Sequence, residues 1–251
     1  MIRAENITKR FGGREVLKNV SATFEPGQTN LIIGKSGSGK TVFMKCLVGL
    51  LDIDEGSIWY DDVLFSKLEF GAKKEIRKDM GMLFQGSALF DSMTVEENVR
   101  FPLDMFTEMS NSEKLDRVNF CLHRVDIIAS NNLFPSELSG GMKKRVAIAR
   151  AIALKPRYLF CDEPNSGLDP KTSIVIDALI KEITGELNMT TIVNTHDMNS
   201  VMENGEKIIF IEEGEKWWEG SKYEILKSDN KLLNEFVFAN ALAKQLKDSS
   251  K

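Results

Sequence analysis

The residues with the clearest chemical capacity are Gly-Lys-Ser-Gly-Ser-Gly-Lys-Thr at positions 34–41, here called the P-loop. They fit the pattern G-x-x-x-x-G-K-[ST], in which successive backbone N–H groups curl around a polyphosphate. We expect Lys40 to neutralise the β and γ phosphates and the Thr41 hydroxyl to hold Mg²⁺. The remaining phosphate contacts are expected from Gly34, Ser36, Gly37, Ser38 and Gly39.

The sequence on either side of the P-loop supplies the context that this motif requires. Residues 31–33, Leu-Ile-Ile, are typical of a buried strand, and residues 42–51 are apolar with helical spacing. A helix that starts at the loop adds the positive end of its dipole to the phosphate site. A chance match is the alternative, and the order strand, loop, helix argues against it.

Two acids form a second candidate element of the site. Residues 158–161 predict an apolar strand, which ends in Asp162 and Glu163. Because a buried parallel strand presents its final side chains at the carboxyl edge of the sheet, we expect both acids beside the P-loop. Asp162 would meet the Mg²⁺ that Thr41 holds, and Glu163 would orient and deprotonate the attacking water. The alternative is a solvated strand end with no part in chemistry.

Residues 138–142, Leu-Ser-Gly-Gly-Met, are here called the signature segment, and they open a further helix. A hydroxyl, two glycines and a helix N-terminus make a second anion site. One nucleotide does not need two such sites in one chain. We therefore expect Ser139, Gly140 and Gly141 to serve a nucleotide bound by another copy, in a homodimer with composite sites. An N-cap followed by a flexible glycine pair is the structural alternative.

The remaining N-terminal and central sequence indicates the elements that position these residues. Residues 2–24 alternate apolar and polar around a Gly12–Gly13 turn, which predicts a half-exposed hairpin or a small antiparallel sheet. Residues 58–64 predict one more strand of that kind. Residues 171–187 predict a helix between the strands 158–161 and 191–194, as in a parallel sheet. Residues 91–139 are charged and helix-favouring, which predicts an inserted helical lobe. The predicted breaks in this lobe are Pro102, Asn111 and Pro135.

The C-terminal sequence predicts a hairpin and then a helix. Residues 207–219 predict two strands that turn at Gly214, with Trp217 and Trp218 packed on the domain as ordinary strand residues. The tail is expected to form an amphipathic helix, either docked on its own core or reaching a partner. The residues on its predicted apolar face are Leu232, Phe236, Ala239, Ala243 and Leu246.

Composition excludes several classes of protein. A formal net charge of −4 over 251 residues argues against a nucleic-acid-binding domain, which would usually be strongly basic. Cys46, Cys121 and Cys161 are odd in number and lie in apolar sequence, which indicates reduced thiols in a cytosolic protein. Since there is neither a run of about 18 apolar residues nor a charged-then-apolar leader, we expect no membrane span and no export. A role at a membrane would therefore need a partner subunit.

In order and spacing, these motifs resemble those of the ATP-binding cassette (ABC) ATPases, over residues 2–225. The resemblance rests on the P-loop, Gln85, the signature segment, Asp162-Glu163, Ser-Gly-Leu-Asp at 166–169 and His196. It implies an α/β fold: a RecA-like P-loop core with an antiparallel β subdomain and an inserted α-helical subdomain. Residues 1–88 and 154–225 would form the core with its β subdomain. Residues 89–153 would form the helical subdomain, and 226–251 a C-terminal helical tail.

The resemblance also implies roles that the residues alone do not. Two chains would dimerise head to tail over two ATP molecules, with residues 166–169 across the interface. Gln85 would touch Mg²⁺ and the attacking water, and His196 would hold the γ phosphate. Phe11 would stack on adenine, and Val16 would line the same pocket. His123, outside every motif, is expected to be structural.

Two positions depart from the family pattern, Met142 in place of Gln and Asn165 in place of Thr. With the sequence of residues 84–103, Met142 is similar to the Mla/Mkl branch, whose ATPases energise lipid-moving permeases that work with Mce-type proteins. That likeness implies a subunit bound to integral membrane permeases at the cytoplasmic face of a bacterial inner membrane. In the family, residues 86–103 would receive a permease helix. The apolar floor expected there is Ala88, Leu89, Phe90, Met93, Val95, Val99, Phe101 and Leu103.

Three other functions stay open at this point. The first is an ATPase for amino-acid or ion import, which Met142 and residues 86–103 disfavour. The second is a regulatory ATPase that resembles FtsE and transmits force to a cell-wall hydrolase through a membrane partner. The third, nucleic-acid or ribosome work, is disfavoured because such proteins usually carry two cassettes or long coiled-coil insertions. No nucleic-acid partner is therefore expected.

Overall fold

The structure is a computed structural model that describes residues 1–238. Its strands are β1 (Ile2–Phe11), β2 (Arg14–Phe24), β3 (Thr29–Ile33), β4 (Glu55–Tyr60), β5 (Val63–Leu64), β6 (Met80–Leu83), β7 (Tyr158–Asp162), β8 (Thr190–Thr195), β9 (Lys207–Glu212) and β10 (Glu215–Gly220). Its helices are α1 (Lys40–Leu47), α2 (Phe70–Lys78), α3 (Val95–Phe106), α4 (Asn111–Arg124), α5 (Gly140–Ala151), α6 (Pro170–Glu186), α7 (Met198–Asn204), α8 (Lys222–Ile225) and α9 (Lys231–Val237). Short 3₁₀ helices cover Phe65–Lys67 and Pro135–Glu137.

A six-stranded sheet in the order β10-β9-β3-β8-β7-β6 forms the centre of the molecule. All neighbours in it are parallel except β9 and β10, which form a hairpin. Every residue of β3, β7 and β8 is buried, as expected for strands covered on both faces. The predicted strand-helix-strand alternation is thereby confirmed, with α6 between β7 and β8.

The parallel arrangement brings four chain segments to one edge of this sheet. The P-loop follows β3, Gln85 follows β6, Glu163 follows β7 and His196 follows β8. These strands are neighbours in the sheet, so residues far apart in sequence meet at its carboxyl edge.

A second, four-stranded antiparallel sheet has the order β2-β1-β4-β5. The predicted hairpin is present, with Phe11 paired to Arg14 across the glycine turn. The single strand predicted over residues 58–64 was wrong. The chain forms β4 and β5 instead, because Asp61 adopts a φ of 50° and turns the chain between Tyr60 and its partner Val63.

Three helices, α3 to α5, lie in sequence between β6 and β7, in agreement with the predicted helical insertion. Two of the predicted breaks were wrong. Pro102 lies inside α3, and Asn111 is the first residue of α4, where Ser110 and Glu113 form a capping box. The capping box supplies the start signal, because the Ser110 hydroxyl accepts from the Glu113 N–H. Pro135 does interrupt the α-helices and opens the second 3₁₀ helix.

Alternate residues of β3 divide the interior into two apolar cores. Leu31 and Ile33 belong to a core shared with the inserted helices and α6. Ile32 belongs to the other, which α1 and the antiparallel sheet cover. This alternation follows from the two-residue period of a strand.

The C-terminal hairpin is as predicted, but its tryptophans differ from one another. Trp217 is 44% exposed, whereas Trp218 packs against the first core. Of the tail, only α9 lies among the described residues, and its buried positions are Leu233 and Val237. The face predicted from Leu232 and Phe236 is half-buried instead, and Ala239, Ala243 and Leu246 lie outside the described residues.

Within residues 1–238, no helix combines the length and the apolar composition that spanning a membrane requires.

Candidate active site

The P-loop packs closely against β9 and leads into α1, whose first backbone N–H groups have no side-chain cap within residues 1–238. A Cβ at Gly34 would lie 2.0 Å from the Ile211 carbonyl oxygen, so only glycine fits there. Gly39, with a φ of 109°, precedes α1, and among the described residues no side chain caps this helix. The first N–H groups of α1 are therefore free to bind an anion. The buried Ser38 hydroxyl likewise has no hydrogen-bond partner within residues 1–238.

Lys40 lies across its own loop. The side chain is buried, and Nζ donates to the carbonyl oxygens of Gly34 at 2.8 Å and Lys35 at 2.9 Å. Burial lowers the pKa of Lys40, while the charges of Glu163, Asp162 and Glu212 act in the opposite direction. A cation desolvated in this way gains more from a nearby phosphate than an exposed lysine would.

Thr41 and Asp162 meet as expected from the sequence. Thr41 Oγ1 donates to Asp162 Oδ1 at 3.2 Å, and Asn194 Nδ2 donates to the same oxygen at 2.9 Å. Asn194 lies on β8 opposite Asp162 and is fully buried. It orients the carboxylate, and the sequence analysis did not identify it. Its signal was a polar residue near the carboxyl end of an otherwise apolar strand.

Glu163 lies between Gln85 and His196, two of the other predicted catalytic residues. Gln85 Nε2 donates to Glu163 Oε2 at 2.9 Å, and His196 Nδ1 lies 3.2 Å from Oε1. Glu163 has a φ of 48°, a conformation rare outside glycine, and its N–H donates to the Asn194 carbonyl at 2.9 Å. Such outliers concentrate at functional sites. Both carboxylate oxygens are therefore oriented by contacts within the chain.

Helix α5 holds the segment that follows Gln85. Lys144 is buried and donates to the Gln85 carbonyl oxygen. Arg150 donates to the carbonyl oxygens of Ser87 at 3.0 Å and Ala88 at 2.8 Å. Ser87 and Ala88 both have positive φ, so these bonds stabilise an unfavourable backbone path. Lys144 and Arg150 had no sequence signal beyond a basic helix.

The two residues predicted to line the adenine pocket lie in a cavity beside the P-loop. Phe11 and Val16 share it with residues 35–38 of the loop and residues 212–214 of the β9–β10 turn. The Phe11 ring is 45% exposed and carries Lys9 Nζ 5.3 Å from its centroid. An exposed aromatic ring at this place is available for stacking, and the stacking role stays a prediction.

The signature segment lies apart from the P-loop. Ser139, Gly140 and Gly141 share a cavity with residues 167–169, and no P-loop residue lines it. The Ser139 hydroxyl caps α5 by accepting from the Met142 N–H at 3.3 Å. Within one chain, the two predicted anion sites are therefore not brought together.

Neither departure from the family pattern falls on a candidate phosphate ligand. The Met142 side chain packs against the first core. Asn165 Nδ2 donates to Ser200 Oγ at 3.1 Å, toward α7. His123 is exposed in the last turn of α4 and belongs to neither cavity.

The residues of the site fit a nucleotide with Mg²⁺. The unclaimed N–H groups of α1 and the orphaned Ser38 hydroxyl suit phosphate oxygens, and Thr41 with Asp162 offers the hard oxygen ligands that Mg²⁺ prefers. Held by Thr41 and Asp162, Mg²⁺ would neutralise the charge that develops on the phosphates. The chain itself supplies orientation, through the contacts of Glu163 with Gln85 and His196.

Comparison with known proteins decides the family. A family model described as ABC transporter matches residues 17–166. The chain belongs to this family. As an ABC ATPase, it binds ATP and hydrolyses it, with Mg²⁺ as the usual partner of the nucleotide.

Two relatives illustrate the range of similar ABC proteins. The "Methionine import ATP-binding protein MetN" of Clostridioides difficile is 39% identical over 237 residues, which cover 94% of this chain and 74% of that protein. The "Probable ribonucleotide transport ATP-binding protein mkl" of Mycobacterium tuberculosis (strain H37Rv) is 40% identical over 200 residues. That match covers 79% of this chain and 55% of the mkl protein.

Solved ABC structures confirm the fold. The bacterial ABC transporter cassette MJ0796, described as dimeric, has a TM-score of 0.81 and 35% identity, over 88% of this chain and 99% of that one. The cassette cbiO1 of Clostridium perfringens, part of the complex cbiONQ, has a TM-score of 0.84 and 26% identity. That match covers 99% of this chain and 98% of cbiO1. The predicted RecA-like core with an antiparallel β subdomain and an inserted helical subdomain is thus confirmed.

Proposed function

We propose that this ABC ATPase is the motor of a membrane transporter, and that two copies bind two ATP molecules between them. The observation that carries the proposal is the meeting of the P-loop, Gln85, Glu163 and His196 at one sheet edge, while Ser139 lies in a separate cavity. Each copy then offers one half of a site and needs the other half from its partner.

The roles of the site residues follow from their positions. Lys40 and the P-loop backbone bind the phosphates, Thr41 and Asp162 hold Mg²⁺ with Gln85, and Glu163 activates water. His196, whose side chain is 60% exposed and lies 3.2 Å from Glu163 Oε1, contacts the γ phosphate. Phe11 and Val16 bind the base. Residues 139–141 complete the partner's site.

For the cargo we propose phospholipid or another lipid, moved between bacterial membranes. Support comes from the Met142 signature and from residues 84–103, which resemble the Mla/Mkl branch. On this proposal the chain lies at the cytoplasmic face of the inner membrane, bound to integral permease subunits that work with Mce-type lipid-binding proteins.

A second candidate cargo is a small polar solute such as an amino acid. It is favoured by the likeness to a methionine import ATPase, which extends over 94% of this chain. This import function is at least as well supported as lipid transport. A regulatory, FtsE-like role, in which the membrane partner moves nothing, is a further outcome of the cargo experiment below.

The division of the chain supports a coupling route. We propose residues 1–88 and 154–225 as the core, 89–153 as the helical subdomain and 226–251 as the tail. Gln85 touches the catalytic carboxylate, and the segment after it enters the helical subdomain held by Lys144 and Arg150. Movement at the nucleotide therefore reaches the surface around Phe90 through a firmly held segment.

Phe90 is the best-placed residue of the apolar floor. Its ring is 40% exposed, lies 4.8 Å from the ring of Phe101 and has the Arg150 guanidinium 5.8 Å from its centroid. Its backbone is fixed, because its N–H donates to the buried Asn98 Oδ1 at 2.8 Å and its carbonyl accepts from Asn98 Nδ2 at 3.1 Å. An exposed ring on a rigid backbone suits docking of an amphipathic permease helix.

The rest of the predicted floor is smaller than expected. Val95, Val99 and Leu103 are buried in the first core, and Leu89 packs against it. They face inward because α3 is amphipathic and turns this side to the inserted subdomain. The surface left for docking consists of Ala88, Phe90, Met93 and Phe101.

The docking test compares Phe90→Glu with Phe120→Glu. Phe120 is 52% exposed on α4 and also lies under an arginine, with Arg117 Cζ 4.9 Å from its centroid. Both variants should fold and bind ATP, since both rings are exposed. Only Phe90→Glu should lose the membrane subunit in a pull-down, because a buried charge at an apolar interface is costly. Retention of the permease by Phe90→Glu would contradict the docking role.

The cargo test uses the complex purified with its membrane subunit. Lipid identified by mass spectrometry on that complex, together with ATPase activity that lipid stimulates, would support lipid transport. Stimulation by methionine in the presence of a solute-binding protein would support import. The absence of both bound lipid and stimulation by solute would favour the regulatory role.

A further inference from the structure

The C-terminal helix α9 contributes a side chain to the nucleotide site that no motif indicates. Phe236 lines the same cavity as Lys40, Thr41, Glu163 and His196. The other members of this cavity come from the P-loop and Val42 of α1, from Val16 on β2 and from the loops after β6, β7 and β8. Phe236 reaches it from more than 190 residues further along the chain than the P-loop.

The ring of Phe236 is held by its neighbour on β9. Phe210 and Phe236 stack with centroids 5.5 Å apart and ring planes 27° apart. Phe210 is fully buried and pairs in the sheet with Ile33, the residue directly before the P-loop. The position of the Phe236 ring is therefore tied to the strand that carries the P-loop.

The helix itself is anchored so that Phe236 stays at the cavity. Leu233 and Val237 are buried in the first core, while Phe236 is only partly buried. Asn230 caps the helix by accepting from the Leu233 N–H at 3.0 Å, and its Nδ2 donates to the Trp217 carbonyl at 2.9 Å. These anchors fix α9 on the core, with the Phe236 ring stacked on Phe210 and lining the cavity.

An aromatic wall changes the electrostatics of the phosphate end. It excludes water from one side of Lys40 and Glu163, and charges interact more strongly where water is excluded. We propose that Phe236 is a positioning residue of the nucleotide site, whose ring closes the cavity around the terminal phosphate and strengthens ATP binding. This inference rests on the assignment of the cavity to the phosphates of ATP.

The location of the ring predicts a preference between nucleotides. Phe236 shares the cavity with Glu163 and His196, which mark the end of the site where the γ phosphate is expected. Loss of the ring should therefore weaken ATP more than ADP. Removal of a general helix contact would affect both nucleotides alike.

The experiment measures Kd for ATP and for ADP on the full chain by calorimetry, with KM and kcat for hydrolysis. The variants are Phe236→Ala, Phe236→Leu and the control Leu232→Ala. Leu232 is on the same helix and packs against the same core, but it does not line the cavity. We expect Phe236→Ala to raise the Kd for ATP about fivefold to tenfold and the Kd for ADP less than about twofold. In hydrolysis, KM should rise and kcat should stay nearly unchanged.

Two comparisons decide the outcome. Phe236→Leu, which keeps an apolar wall, should restore most of the ATP affinity, and Leu232→Ala should leave both dissociation constants near wild type. Equal weakening of ATP and ADP by Phe236→Ala, or the same losses in Leu232→Ala, would overturn the proposal. Lys40→Ala is measured in parallel: unchanged ATP binding there would contradict the assignment of the cavity itself, whatever Phe236 does.

Discussion

The turn between β9 and β10 holds the P-loop from the side, and Gly214→Ala tests that contact. The Gly214 N–H donates to the Ser38 carbonyl at 3.0 Å, and its own carbonyl accepts from the Lys18 N–H at 2.8 Å. A Cβ at Gly214 would lie 2.3 Å from the Val16 carbonyl oxygen. Any side chain here therefore pushes the turn away from β2 and disturbs its hydrogen bond to Ser38.

The size of the effect follows from that distance. Real Cβ contacts stay above 3.0 Å, so the turn must move by about 0.7 Å, and a shift of that size along the Ser38 hydrogen bond would lengthen the bond beyond 3.5 Å. Leaving a buried carbonyl unpaired costs about 1–3 kcal/mol. If this free energy destabilises the P-loop conformation that binds ATP, ATP affinity should fall about 5- to 150-fold.

Gly13→Ala is the matched control for this variant. Gly13 has a φ of 82° against 81° for Gly214, but no atom of residues 1–238 lies within 4 Å of a Cβ there. Both variants carry the same left-handed strain, about 1–2 kcal/mol, and should lower Tm. Only Gly214→Ala should also raise the ATP Kd, measured by calorimetry on the folded protein below Tm. Equal ATP affinities in the two variants would refute the idea that the turn positions the P-loop.

Two further predictions concern hydrolysis and the composite sites. Glu163→Gln should bind ATP but hydrolyse it about 10²- to 10⁴-fold more slowly. With ATP it should form a stable dimer that size-exclusion chromatography detects. Lys40→Ala should instead weaken ATP binding and form no such dimer. Phosphate release by Glu163→Gln at near the wild-type rate would remove Glu163 from the role of base. A mixture of Ser139→Arg and Lys40→Ala chains should recover partial ATPase activity that neither has alone, because the heterodimer builds one intact site. In a crosslinked heterodimer, ATP that contacts only one chain would speak against composite sites.

The parts of the site that sequence could predict are those attached to strand ends. Ile33 and Asp162 end short apolar strands, and parallel strands deliver their final residues to one edge. That rule needs only local sequence and the sheet type, so the meeting of Thr41 with Asp162 was predictable. The start of α4 carried its own signal in Ser110 and Glu113, and predicting a break there overlooked it.

Other parts depend on packing that no local pattern records. Asn194 orients Asp162 only because β7 and β8 pair in a register that puts the two opposite each other. Lys144 and Arg150 look like solvated basic residues in sequence, yet both donate to the backbone after Gln85. The left-handed conformation of Glu163 is likewise set by its surroundings, through the hydrogen bond to Asn194.

The part of the site that comes from the C-terminal end of the chain depends on the order of strands in the sheet. Gly214 is recognisable in sequence as a hairpin turn, but its bond to Ser38 exists because β9 lies directly beside β3. The same neighbour relation brings Phe210, and with it Phe236, to the P-loop. In a parallel sheet a strand can be inserted beside any earlier one, and the choice is settled by the burial of whole faces, not by the residues of the turn. On our proposal, the ATP site of this chain is completed by residues after the last motif, so substitutions at Gly214 and Phe236 should change nucleotide affinity without touching any of the motifs.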